Sequence, residues 1–191
     1  MLIVMVAIEL TKTLLPLSIQ VPVVVVQDMR TVVRGASGEL VLKKGAKLEL
    51  SLSEALPLIE RGVVDIDPER LPSLRDMNKV RWIESRDPNE IQKLDEDFYV
   101  KARLAIMQME LKGGDDRAIS SAKATLLDII RLRLQKVLKA VTANPELSRD
   151  FSEKLTLEER ALYASLCRNV KMWYSSMVEF VERGDPLARA S

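Results

Sequence analysis

The first sixty-odd residues alternate short β-branched runs with turn-forming clusters. "LIVMVAI", "IQVPVVVVQ", "TVV" and "ELVL" are punctuated by "RGASGE" and "KKGAK", and residues 47–52 alternate polar and apolar in "KLELSL". This patterning predicts short strands joined by tight turns, with glycine supplying positive φ where the chain reverses. In "SLSEALPLIERG" the periodicity changes. Ser51 and Glu54 have capping-box spacing, Leu52, Ala55, Leu56 and Ile59 share a helical face, and Gly62 stands where a helix would stop. Pro57 lacks a backbone donor and clashes with the preceding turn, so the spacing predicts a short helix beginning nearer Ser53, then a last strand, "VVDI".

"DPERLPSLRD" combines two prolines with alternating charge and marks a domain boundary at about 66–74. The chain therefore reads as α+β, with a small β-rich module over 1–67 and a helical bundle over 68–191. Periodicity predicts helices over 74–83, 95–112, 117–143 and 156–183. In the third, Leu126, Leu127, Ile130, Leu134, Val137, Leu138 and Val141 form the stripe predicted to be buried, with Arg131, Arg133, Gln135, Lys136 and Lys139 on the remainder. In the last, the stripe is Leu162, Leu166, Val170, Trp173, Met177 and Val181. The second is apolar on two faces: Phe98, Ala102, Ala105, Ile106 and Met109 on one, Val100, Leu104, Met107 and Leu111 on the other. Such a helix must be covered on more than one side, in part by another chain.

Composition narrows the chemistry. The 191 residues are 47% hydrophobic and 30% charged, as in ordinary folded proteins, and a formal charge of +1 gives no long-range attraction to nucleic acid or anionic lipid. The absence of histidine removes the commonest general base and metal ligand and every Ser-His or Cys-His pair. Cys167 is the single cysteine, which excludes an internal disulfide and a cysteine-cluster metal site and makes a reducing, intracellular compartment the expectation. "MLIVMVAIEL" has no basic leader or small-residue cleavage site and too few apolar residues to span a bilayer, so it reads as a buried strand.

Three consecutive acids, Asp95, Glu96 and Asp97, are the most site-like feature. Neighbours on a helix point about 100° apart and do not converge on one ion, so Asp95 is expected to cap a helix with Glu96 and Asp97 in its first turn. Thr156 and Glu159 repeat the capping-box spacing. "RLRLQKVLK" gathers Arg131, Arg133, Lys136 and Lys139, a candidate nucleic-acid face, but no aromatic is interleaved to stack on bases. A solvated or salt-bridged face is the better reading, with direct nucleic-acid binding weak or absent. Cys167, near Trp173 and Tyr174, has the spacing of a core residue. No phosphate loop, metal-binding helix or nucleophile elbow is present, and no cofactor or catalytic residue is expected.

"LDEDFYVKARLAI" (94–106), "IIRLRLQKVLKAV" (129–141) and "KLTLEERALYASLCRNV" (154–170), in that order, resemble the helical A-domain of GINS subunits. "LELSLSEALPLIERGVVDI" (48–66) is similar to the GINS B-domain. The order, β module first, resembles one archaeal subunit type, although "LDEDFY" is also similar to the reversed type. The resemblance implies a non-catalytic replication scaffold, located in the cytoplasm at nucleoid-associated forks. Its implied partners are the reverse-order GINS subunit and a second copy of itself in a tetramer, the MCM helicase, and a RecJ-like or Cdc-type protein. Primase and the sliding clamp are further partners associated with the family, and none is a membrane. Phe98, Tyr99, Leu104, Met107, Leu111, Arg131 and Tyr163 are the candidate subunit-interface residues.

Overall fold

The computed structural model describes residues 20–32 and 39–183. The predicted opening strand in "MLIVMVAIEL" and the turn in "RGASGE" lie wholly or largely outside the described residues. By its contacts the chain falls into two compact units, Met1–Asp76 with Tyr99–Lys123, and Met77–Phe98 with Ala124–Ser191.

The first unit holds the strands. β1 (Gln20–Val25) lies between β4 (Lys47–Ser51) and β5 (Val64–Ile66), antiparallel to both, and β2 (Met29–Val32) pairs with β3 (Glu39–Leu42) as a separate antiparallel ribbon. Pro22 occupies the central strand without breaking the ladder. Its carbonyl accepts from the Asp67 amide at 2.9 Å, so its missing donor faces the chain just past the end of β5, where the Asp67 carbonyl accepts from Arg70 instead. Helix α1 (Leu52–Glu60) runs through Pro57 rather than starting late to avoid it. One missing amide costs a nine-residue helix a single internal bond, while Leu52, Ala55 and Leu58 anchor it in the core and the Ser51 amide donates to Glu54 at 3.0 Å.

Helix α3 (Phe98–Leu111) belongs mostly to this unit. Val100, Leu104 and Met107 join Val21, Val23, Leu50, Leu58 and Ile66 in one apolar core. Gln108 ties helix to sheet, its side-chain amide donating to the Ile66 carbonyl at 2.9 Å. The chain's own strands thus cover this face of α3. At its end Gly113 takes a φ of 66°, and Gly114 lies so close to the Met109 carbonyl that a Cβ would clash with backbone. Beyond that turn, Lys123 pairs with Glu110 at 2.6 Å, and Arg103 does so at 3.1 Å from within α3.

The second unit holds most of α2 (Leu74–Arg86) and of α4 (Asp116–Ala143), with the one-turn α5 (Arg149–Ser152) and α6 (Leu157–Arg183). The α+β reading holds: a small N-terminal strand module precedes a helical C-terminal region. The three acids, however, precede α3 instead of filling its first turn. The Phe98 amide closes a turn on the Asp95 carbonyl, the Glu96 carbonyl accepts from the Leu157 amide at 3.0 Å, and the Glu96 carboxylate pairs with Arg160 at 2.8 Å. Docking along the start of α6 holds this stretch out of the helix.

The predicted faces of the long helices are also rotated. Ile129, Arg133, Lys136, Val137 and Val141 of α4 are buried, while Leu127, Ile130, Leu134 and Leu138 are exposed. In α6 the buried residues are Glu159, Tyr163 and Cys167, and Leu162, Trp173 and Val181 of the predicted stripe are exposed.

Leu104→Ala should destabilise the chain itself by about 2–5 kcal/mol, read as a lower urea midpoint at unchanged slope. Hydrogen bonding from Lys123, then from Arg103, holds the Glu110 carboxyl below its ordinary 4.5. A depressed carboxyl contributes stability above its unfolded pKa and loses it as pH falls through the folded value. Glu110→Gln should therefore be less stable than the parent at pH 6, and urea titrations of the two should converge as pH falls below 4.5.

Candidate functional site

Arg133 lies one turn from both Ile129 and Val137, on the inward face of α4, and its side chain is 0% exposed. A guanidinium carries five donors and no acceptor, so burial demands acceptors in a plane around it. Its Nε and Nη2 donate to the two oxygens of Glu159, each at 2.7 Å, as a bidentate fork. Its Nη1 donates to Glu84 at 2.5 Å and to the Gln92 carbonyl at 2.8 Å, and Nη2 reaches the Lys154 carbonyl at 3.1 Å. Lys136, one turn on, donates to the other Glu84 oxygen at 2.5 Å and to the Glu90 carbonyl at 2.7 Å.

Two cations and two carboxylates give a neutral buried cluster. Its members come from α2, the segment after it, α4, the α5–α6 turn and the first turn of α6. Glu159 also completes the expected capping box: its carboxylate accepts from the Thr156 amide at 3.0 Å, and its own amide donates to the Thr156 hydroxyl at 3.4 Å. An adjoining apolar cluster contains Ile91, Val137, Val141, Leu155, Tyr163 and Cys167. Within it the Tyr163 hydroxyl accepts from the Ser148 amide and donates to the Glu146 carbonyl, both at 3.2 Å. Burial pushes the phenol pKa up, with the Ser148 amide opposing the shift, so Tyr163 is a neutral donor here.

This arrangement removes two of the four basic groups of "RLRLQKVLK" from the candidate nucleic-acid face, by salt-bridging them in the interior. Arg133 and Lys136 are enclosed by carboxylates and carbonyls, so they cannot meet phosphates; Arg131 and Lys139 remain at the surface. The signal that could have revealed them was their position: Arg133 sits four residues from Ile129 and from Val137, a face that the neighbouring leucines disguised.

The candidate interface residues are dispersed. Leu104 and Met107 lie in the core of the first unit, Phe98 is buried at the head of α3, and Tyr163 is in the core of the second unit. Tyr99 is half-buried, and the Leu111 side chain lies outside the described residues. Arg131 alone among the described side chains of this set is exposed, at 74%. Asp95, Glu96 and Asp97 do not converge, and among the described residues no cluster of three or more His, Cys, Asp or Glu could hold a metal ion.

Among its charged groups the second unit also presents large apolar residues outward. Leu127, Ile130, Leu134 and Leu138 follow helical spacing along exposed α4, with Leu127 61% exposed. After Cys167 no described residue of α6 is buried, although Met172, Trp173, Tyr174, Phe180 and Val181 lie there. Such an arrangement offers docking surface. Among the described residues no helix is long and apolar enough to cross a membrane.

Residues 71–178 match the family model of the GINS complex protein helical bundle domain, Sld5. The match takes in α2 through most of α6, including every member of the buried charge cluster. No curated protein matches the chain.

Removing one partner of a buried ion cluster strands the others, so Arg133→Ala should cost about 3–5 kcal/mol. Arg133→Lys should recover only part of this, because an ammonium cannot serve Glu159 and Glu84 with a planar fork. Urea unfolding followed by circular dichroism checks both.

Proposed function

Because the chain belongs to the GINS complex helical-bundle family, and so is a GINS subunit with a role in DNA replication, we propose that it is a non-catalytic scaffold of the archaeal type. In this reading residues 1–67 form the small B-domain and 68–191 the helical A-domain. The chain assembles with the reverse-order GINS subunit and a second copy of itself into a tetramer. That tetramer links the MCM helicase to a RecJ-like or Cdc-type protein, with primase and the sliding clamp as further partners.

The observation that carries the reading is the exposed α4 stripe of Leu127, Ile130, Leu134 and Leu138, together with an α6 in whose second half no described residue is fully buried. Large apolar residues in contiguous rows are rare on monomers and frequent where subunits meet. The strand-first element order supports the subunit type. Of the candidate interface residues, Arg131 on α4 and half-buried Tyr99 keep side-chain surface for such contacts, while Phe98, Leu104, Met107 and Tyr163 are buried within the chain itself.

Co-expression with the reverse-order subunit, followed by light scattering, should give a tetramer. A monomeric product would overturn the reading. Leu134→Glu should abolish assembly while leaving the circular dichroism spectrum of the chain intact, because this side chain is already 39% exposed.

A further inference from the structure

Trp82 is 58% exposed on α2, a large apolar surface that the chain's own core does not use. It lines an open groove of about 450 Å³ with Arg81 and Ser85 from the same helix and Asp128, Arg131 and Leu132 from α4. Lys79, Trp82 and Arg86 follow one another at helical spacing on the outer face of α2, and all three are exposed. The Arg86 guanidinium stands 4.8 Å from the centre of the Trp82 ring, a cation–π contact. The groove therefore combines a largely exposed indole, with Arg86 over its ring, and basic groups on both walls, Arg81 on α2 and Arg131 on α4.

Asp128 is the acid lining it. It meets Arg81 at 3.5 Å and Arg131 at 3.8 Å, and all three side chains are substantially exposed. Long, solvated ion pairs are worth little, so an incoming anion can displace Asp128 from either arginine at small cost. The aromatic missing from "RLRLQKVLK" is thus supplied across the helix pair by α2.

We propose that this α2–α4 groove is a contact site for single-stranded nucleic acid, with a base stacked on Trp82 and the backbone phosphates held by Arg81, Arg86 and Arg131. An aromatic platform flanked by cations binds single strands with little sequence preference, because every base offers a π-face. A duplex keeps its bases inside and cannot use the indole. An acidic peptide would find the cations but gain less from an exposed flat ring. The inference does not rest on the scaffold reading, since oligonucleotide binding and light scattering are separate readouts.

The test uses the full chain carrying Trp173→Phe, which leaves Trp82 as its one tryptophan, titrated with an oligo-dT of about twelve nucleotides. The expected result is quenching of Trp82 emission and an affinity that falls with salt at a log–log slope near −2, about 0.7 for each of three phosphate contacts. By anisotropy of a labelled oligo-dT, Trp82→Ala should weaken binding roughly tenfold or more, and Asp128→Asn should strengthen it, with circular dichroism confirming that both variants fold. The proposal is overturned by absence of binding at low salt, or by unchanged affinity in Trp82→Ala. It is equally overturned if a poly-glutamate peptide of the same length competes as well as oligo-dT, which would make the groove a protein-docking face. Loss of binding with a blue-shifted Trp82 emission on assembly with the co-expressed subunit would overturn it too, by assigning Trp82 to the subunit interface.

Discussion

Burying a guanidinium is the constraint on which the helical unit depends. Arg133 has five donors fixed in one plane, and each must meet an acceptor once water is gone. Glu84, Gln92, Lys154 and Glu159 supply them from separate parts of the second unit, so one side chain sets the mutual positions of α2, α4 and α6 within it. Lys136 neutralises the second carboxylate. Buried ion pairs of this kind add less stability than apolar packing of equal volume, but they tolerate few alternative geometries.

The same constraint decides what the unit shows to its surroundings. With Arg133 and Lys136 inward, Ile129, Val137 and Val141 follow them, and a helix cannot turn every side in. Leu127, Ile130, Leu134 and Leu138 are left outside. The apolar exterior of α4 is therefore the reverse face of its polar interior. In α6, Glu159 fixes the first turn in the same way, aligning Tyr163 and Cys167 with the core, and beyond Cys167 no described residue of the helix is fully buried. Together these surfaces suit a subunit whose role is assembly, as expected of a GINS bundle.

The strand-containing unit solves a different problem. Short strands and a nine-residue helix enclose a small core that includes Leu42 of β3, and α3 enlarges it through Val100, Leu104 and Met107. The excess of apolar surface on α3 was plain in its sequence, but what covers it was not. Part of the cover that could have been assigned to another chain comes from this chain's own strands. This is a matter of long-range topology, invisible to a pattern read over a window of a dozen residues.

By itself the sequence marked most of the described elements and their kinds. Short β-branched runs between turn clusters marked the strands, 3.6-residue periodicity marked the long helices, and Thr156 with Glu159 marked the start of α6, because these signals are local and backbone-driven. It also carried the resemblance to the GINS bundle in three ordered stretches. Only the tertiary structure decided which side of each helix faces inward. On α4 a leucine row and a row containing Arg133 compete for the core, and apolarity alone favours the leucines. The carboxylates that reverse the choice lie 49 residues before Arg133, at Glu84, and 26 after it, at Glu159. Likewise Trp82 and Arg131 acquire a shared groove only when α2 and α4 pack. Local periodicity can say that a helix has two faces, but the choice between them belongs to partners distant in sequence.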